Sequence, residues 1–134
     1  MRRFFQYICL FVVVCVLMGC FRTQPIYNVD TVSIPPIAES KGSLEKTGTI
    51  ITKAAVALRW HVEKVRPGIL HCSLRWRRHK AVVAISYSVT NYSIQYLSSE
   101  NLLEGMGEIH RKYNRNVLQL QNNIDQALAK ASNG

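Results

Sequence analysis

From Ser43 to the end of the chain, apolar and polar positions follow three regimes in turn. Ile50, Ile51, Ala54, Ala55 and Leu58 recur at helical spacing, with Lys46, Lys53 and Arg59 off the stripe. A helix capped by Ser43 or Thr47 and ending near Arg59 is expected. Strict alternation follows. Trp60, Val62 and Lys64 alternate with His61 and Glu63 ahead of a turn at Pro67-Gly68. Leu70, Cys72, Leu74 and Trp76 form the next apolar set, then Ala81, Val83, Ile85 and Tyr87, then Tyr92, Ile94 and Tyr96. Past a Gly-bearing loop from Asn101 to Gly107, helical spacing returns with Tyr113, Val117, Leu120, Ile124 and Leu128.

The strand registers follow from these sets. A hairpin closed over Arg77-Arg78 puts Leu74 opposite Ala81, Cys72 opposite Val83 and Leu70 opposite Ile85. A second, closed over Ser88 to Asn91, puts Tyr87 opposite Tyr92, Ile85 opposite Ile94 and Val83 opposite Tyr96. Every apolar residue then shares one face, and a slip of one residue in either hairpin destroys that agreement. Arg77-Arg78 is poor chemistry for a two-residue turn, so a looser four-residue loop in the same register is expected. The predicted fold class is α+β: a two-layer sandwich of a four-stranded antiparallel meander, with both helices on its apolar face.

The segment before this domain differs in character. Residues 1–19 comprise a short basic stretch, Arg2-Arg3, and an uncharged apolar run, the pattern of a secretory leader. From Ile8 to Phe21 the run is 14 residues, a helix of about 21 Å against a hydrocarbon core of about 30 Å. Counted from Phe4 it reaches 18, which leaves an uncleaved anchor as an alternative; Arg2-Arg3 also suits a twin-arginine signal. Leu17-Met18-Gly19-Cys20 resembles the bacterial lipobox, in which the leader is cut before a diacylated cysteine whose new amino group is then acylated. More than one fatty chain is what makes such an anchor firm. Phe21, rather than Asp, follows the cysteine, which in sorting of this type implies the outer membrane. Residues 20–42, with Pro25, Pro35 and Pro36, read as a lipidated cysteine and flexible tether. Within them, Tyr27 to Ile34 alternates weakly enough to suit an edge strand. The domain proper is expected over 43–131.

Charge adds a constraint. The chain has 17 Lys and Arg against 8 Asp and Glu, for a net charge of +9. Loss of residues 1–19 removes Arg2 and Arg3, taking 17 to 15 and the balance to +7. It also removes Cys9 and Cys15; with Cys20 acylated, Cys72 is the one thiol left, expected as a buried small apolar group. The densest basic run is Arg75-Trp76-Arg77-Arg78-His79-Lys80. Arg75, Arg77, Arg78 and Lys80 are candidates for contact with an anionic surface, either lipid head groups, lipopolysaccharide or peptidoglycan. The bland alternative is a solvated hairpin tip. An exported chain does not meet nucleic acid, so that partner is set aside.

Candidate chemistry is sparse. The polar face of the sheet carries His61, Glu63 and His71, with Glu63 opposite His71 and His61 opposite Ser73. A Glu with two His is the one grouping suited to a metal, against the plainer reading of a solvated cross-strand pair. Cys72 points away from His71, which opposes a Cys–His nucleophile. No phosphate-binding loop, catalytic triad spacing or cofactor fingerprint is present. Tyr87, Tyr92 and Tyr96 are read as core rather than a sugar platform, and His110 and Asn114 as capping and packing groups.

The strand and helix residues also resemble a family of small, uncharacterised Gram-negative lipoproteins. The pattern appears as Trp60-x-Val62-x-x-Val65-x-Pro67-Gly68, then Val83-x-Ile85-x-Tyr87-Ser88. It continues as Tyr92-Ser93-Ile94-x-Tyr96-x-x-Ser99-x-Asn101-Leu102 and Ile109-His110-x-x-Tyr113-Asn114. The similarity covers about residues 45 to 130 and departs at Asn116 and around Glu104-Gly105. It implies an envelope location and this fold, and assigns no residue a role. The expectation from sequence is therefore a non-enzymatic binding or scaffolding domain on an outer-membrane lipid anchor. The alternatives are an accessory subunit of an envelope or secretion complex and a small metal-dependent enzyme.

Overall fold

The computed structural model describes residues 1–4, 6–7, 22–37 and 43–134, and Cys20 lies outside them. Residues 2–4 and 6–7 are helical. The remaining elements are β1 (Thr23–Pro25), β2 (Val29–Ser33), α1 (Leu44–Ala57), β3 (His61–Arg66), β4 (Ile69–Trp76), β5 (His79–Tyr87), β6 (Asn91–Glu100), β7 (Glu108–His110) and α2 (Arg111–Asn133). Five strands form an antiparallel sheet in the order β2-β6-β5-β4-β3, and β1 pairs with β7 as a separate two-stranded ribbon.

The class is α+β, and the meander β3 to β6 has the expected registers. Leu74 faces Ala81, Cys72 faces Val83 and Leu70 faces Ile85; Tyr87 faces Tyr92, Ile85 faces Ile94 and Val83 faces Tyr96. The expected four-stranded sheet is corrected to five, because Val29 to Ser33 adds to the outer edge of β6. Within the stretch expected as tether, Thr23–Pro25 and Val29–Ser33 are strand. Val29 and Ile34 are buried, and Asn28 Oδ1 accepts the Tyr96 amide at 2.9 Å. Burying those two side chains contributes about 1.5–3 kcal/mol each, enough to hold a segment that its prolines suggested was loose. Gln24 pairs with Ile109, so the fold begins almost directly after position 20.

Both helices cover one face. On α1, Ser43 Oγ accepts the Lys46 amide at 3.1 Å as the cap, while Thr47, the other capping candidate, is buried. Gly48 is required by close approach: a Cβ there would lie 2.8 Å from the Tyr87 ring carbon Cζ. On α2, Tyr113, Val117, Leu120, Ile124 and Leu128 are all buried, as their spacing predicts. They meet Ile51, Ala54 and Ala55 of α1 over the apolar side chains of β4, β5 and β6. The phenol of Tyr92 donates to the Asp125 carboxylate, joining β6 to α2 across the layers, and burial beside that carboxylate raises its pKa.

One side chain secures the N-terminal ribbon. Asn114 Oδ1 accepts the Tyr27 amide at 3.0 Å, and its Nδ2 donates to Pro25 O at 2.9 Å and Gln24 Oε1 at 3.3 Å. The Tyr27 hydroxyl adds a bond to Gln121 Oε1 at 2.7 Å. Asn114→Ala leaves two backbone groups without this partner and should cost about 1–3 kcal/mol in urea unfolding, with faster amide exchange confined first to residues 23–27. A contrasting effect is expected at Tyr113, whose buried hydroxyl has no hydrogen-bond partner among the described residues. Tyr113→Phe removes the desolvation cost of that hydroxyl and should raise the melting temperature or leave it unchanged.

Candidate functional site

The β4–β5 hairpin tip brings the basic run together. Trp76 pairs with His79, so the connection is two residues, Arg77-Arg78, rather than the looser four-residue loop expected. Arg77 adopts a left-handed φ of 52°, which costs a non-glycine residue of order 1 kcal/mol. Contacts from the far end of β6 compensate. Asn101 Nδ2 donates to Arg78 O at 2.7 Å, and His79 Nδ1 lies 2.7 Å from Asn101 O. The Trp76 and His79 rings stack at a tilt, with centroids 5.5 Å apart.

Three of the four basic candidates divide between two surfaces, and Arg78 is exposed at the hairpin tip. Arg75 and Lys80 are directly paired on the helix-free face, in a row that ends at Glu100. Arg75 Nη1 meets Glu100 Oε2 at 3.5 Å, an exposed pair worth below about 1 kcal/mol. Arg77 instead turns toward α2. With Leu74, Trp76, Lys112, Arg115 and Asn116 it lines an open groove of about 320 Å³. A second groove of about 550 Å³ lies between the N-terminal segment and α2, lined by Gln24, Tyr27, Arg111, Asn114, Arg115 and Leu118. The basic surface thus extends beyond the hairpin to Arg111, Lys112 and Arg115.

Sequence reasoning missed this second group. The signal was a first helical turn with two cations, Arg111 and Lys112, and no acid, with Arg115 directly after it, an arrangement that opposes the helix dipole. Nothing local in the sequence says that this turn packs beside the hairpin tip. The loop from Asn101 onward and the β1–β7 ribbon put it there: His110 N donates to Leu102 O at 2.8 Å and Arg111 N to Arg22 O at 3.1 Å.

The open sheet face holds Glu63 opposite His71 and His61 opposite Ser73, in the predicted register. The row through Glu63 and His71 continues to Ala84 and Gln95, and Gln95 Nε2 donates to Asp30 Oδ1 at 3.4 Å. Among the described residues no three His, Cys, Asp or Glu side chains are grouped to hold a metal ion. His61, Glu63 and His71 are spread over two rows of the sheet face rather than grouped. Cys72 is fully buried, and desolvation pushes its thiol pKa up to about 12, which removes it as a nucleophile near neutral pH. Tyr87 and Tyr92 are buried in the core; Tyr96 is half-buried against it, its ring edge-on to Tyr113. No helix among the described residues is long and apolar enough to cross a membrane.

No protein-family model matches the chain, and no curated protein matches it.

His110 closes the basic end by capping α2, its Nδ1 accepting the Lys112 amide at 3.2 Å. Desolvation first, then the charges of Lys112, Arg111, His79 and Arg22, lower its pKa below the ordinary imidazole value. The folded chain therefore resists protonation more than the unfolded one. Stability from this group is complete above about pH 6.5 and is lost as pH falls toward the lower folded value. His110→Asn keeps a capping acceptor without the titration. Its melting temperature should fall less than that of the wild type between about pH 7.5 and 5.

Proposed function

We propose that this chain is a lipid-anchored protein of the bacterial envelope, whose domain binds or scaffolds rather than catalyses. Its leader is removed before Cys20, the cysteine is acylated, and the domain sits on the periplasmic side of the outer membrane. The observation that carries this reading is Leu17-Met18-Gly19-Cys20, placed behind a basic stretch and an apolar run. The basic end supports a binding role toward anionic groups of the envelope. Arg77, Arg78, Arg111, Lys112 and Arg115 stand exposed or beside open grooves, with no acid paired to them among the described residues. The long-range attraction of such a cluster needs no deep pocket.

The accessory-subunit reading draws on the half-buried open sheet face, where Val82 and Ala84 lie between polar neighbours. The metal-enzyme reading has less support, since its donors do not converge. Expression of the full chain in a Gram-negative host, followed by intact-mass analysis, tests the proposal. A mature species beginning at Cys20 and carrying fatty acyl groups is expected. Cys20→Ser should leave an unprocessed, unacylated chain. A wild-type chain that keeps its initiator methionine and gains no acyl mass would overturn the proposal.

A further inference from the structure

The groove between the β4–β5 hairpin tip and the start of α2 gathers groups that the fold leaves unused. Leu74, Trp76, Arg77, Lys112, Arg115 and Asn116 line it, with no Asp or Glu among them. Arg115 and Asn116 stand three and four residues after Lys112, so α2 presents all three on one face. The hairpin adds Arg77, its turn held by the bonds from Asn101 to Arg78 and His79. Among the described residues no acid pairs with Arg77, Lys112 or Arg115, and the Asn116 amide makes no hydrogen bond.

This arrangement is costly as it stands. Like charges on one helix face repel, and cations at a helix start oppose its dipole. Arg77 holds a φ of 52°, at a turn position that Gly occupies without steric cost. A bound anion offsets the first two costs, and the third sets a guanidinium, whose fork matches carboxylate and phosphate, at the mouth of the groove. Trp76 supplies an apolar wall, half-buried against the core with the His79 ring beside it. The neighbouring groove along Tyr27 differs, because its polar groups are already engaged. Asn114 bonds Gln24, Pro25 and Tyr27, and the Tyr27 hydroxyl bonds Gln121.

We infer that this groove binds an acidic sugar, one hexose-sized ring carrying a carboxylate or a phosphate. The anionic group lies among Arg77, Lys112 and Arg115, the ring rests against Trp76, and Asn116 meets a hydroxyl. At about 320 Å³ the groove stands at the small end of ligand sites, which run from roughly 300 to 1,000 Å³, so it suits one ring rather than a long chain. The negative face of an indole attracts the C–H groups of a sugar ring, and the cations reject a neutral sugar's claim to equal affinity by rewarding charge. The inference rests on the binding role toward anionic groups proposed above and names its ligand class; it does not depend on the lipid anchor.

The test uses the full chain in a nonionic detergent, with the state of Cys20 read by intact mass. N-acetylmuramic acid, the carboxylate form, and N-acetylglucosamine 6-phosphate, the phosphate form, are titrated while tryptophan emission is followed. Trp60 is 3% exposed, so a saturable change reports Trp76. At least one acidic sugar should bind, and the stronger of the two identifies the anionic group. Neutral N-acetylglucosamine and inorganic phosphate should each bind about tenfold more weakly. Arg115→Gln should lower the affinity about tenfold, with circular dichroism verifying the fold. Arg77→Gly should lower it by a similar factor while the melting temperature holds or rises, because the turn loses its strain. No saturable change with either acidic sugar would overturn the site. So would equal binding of the neutral sugar or of phosphate, or full affinity in both variants. Those results leave the anchor untouched, whereas an unacylated Cys20 bears on the anchor alone.

Discussion

One-sided burial of the sheet governs this molecule. Strands β4, β5 and β6 place Leu70, Cys72, Ala81, Val83, Ile85, Tyr92 and Ile94 on a single face, each nearly or fully removed from solvent. Two amphipathic helices close over that face, and their own contact runs through residues of the same cluster. Each buried large aliphatic side chain contributes about 1.5–3 kcal/mol, so the layer as a whole outweighs several local costs. The left-handed Arg77 is tolerated on that foundation, as is the Tyr113 hydroxyl, which has no hydrogen-bond partner among the described residues. The cation-rich start of α2 is a cost of the same kind.

The meander was readable because one physical rule over-determined it. Alternation marked the strands, and only one register in each hairpin put Val83 opposite both Cys72 and Tyr96. Even the polar pairs Glu63–His71 and His61–Ser73 followed from it. The helix stripes were readable for the same reason, since Tyr113 to Leu128 keeps its period over four turns. What escaped was non-local. The weak alternation of Tyr27 to Ile34 gained its place from the free edge of β6, and β1 gained its place from Asn114, more than 85 residues away along the chain. Short strands such as β7 carry too few side chains to show a period at all.

The candidate surface was legible in the same partial way. Composition located the hairpin-tip cations, but not that Arg75 and Lys80 would face one side while Arg77 turned to the other. Nor could it show that Arg111, Lys112 and Arg115 would join them, because a two-residue turn and two hydrogen bonds to Asn101 set that meeting. The effect is a domain whose charge is concentrated at one end, beside the start of its own fold. The His61, Glu63 and His71 side chains, by contrast, were placed correctly in register and still do not converge. Pairing along a sheet sets neighbours side by side without bending them toward a common point.

The outer strands have a different consequence. The β3 ladder shifts register between Lys64 and Arg66, with Val65 turned outward, and the β2 ladder shifts between Val29 and Val32 shortly before Pro35 and Pro36. A straight strand from another copy finds no continuous row of donors and acceptors along either border. Charged side chains and bends at such borders oppose fibrillar stacking. This chain can therefore accumulate to high local density without its sheets growing into one another.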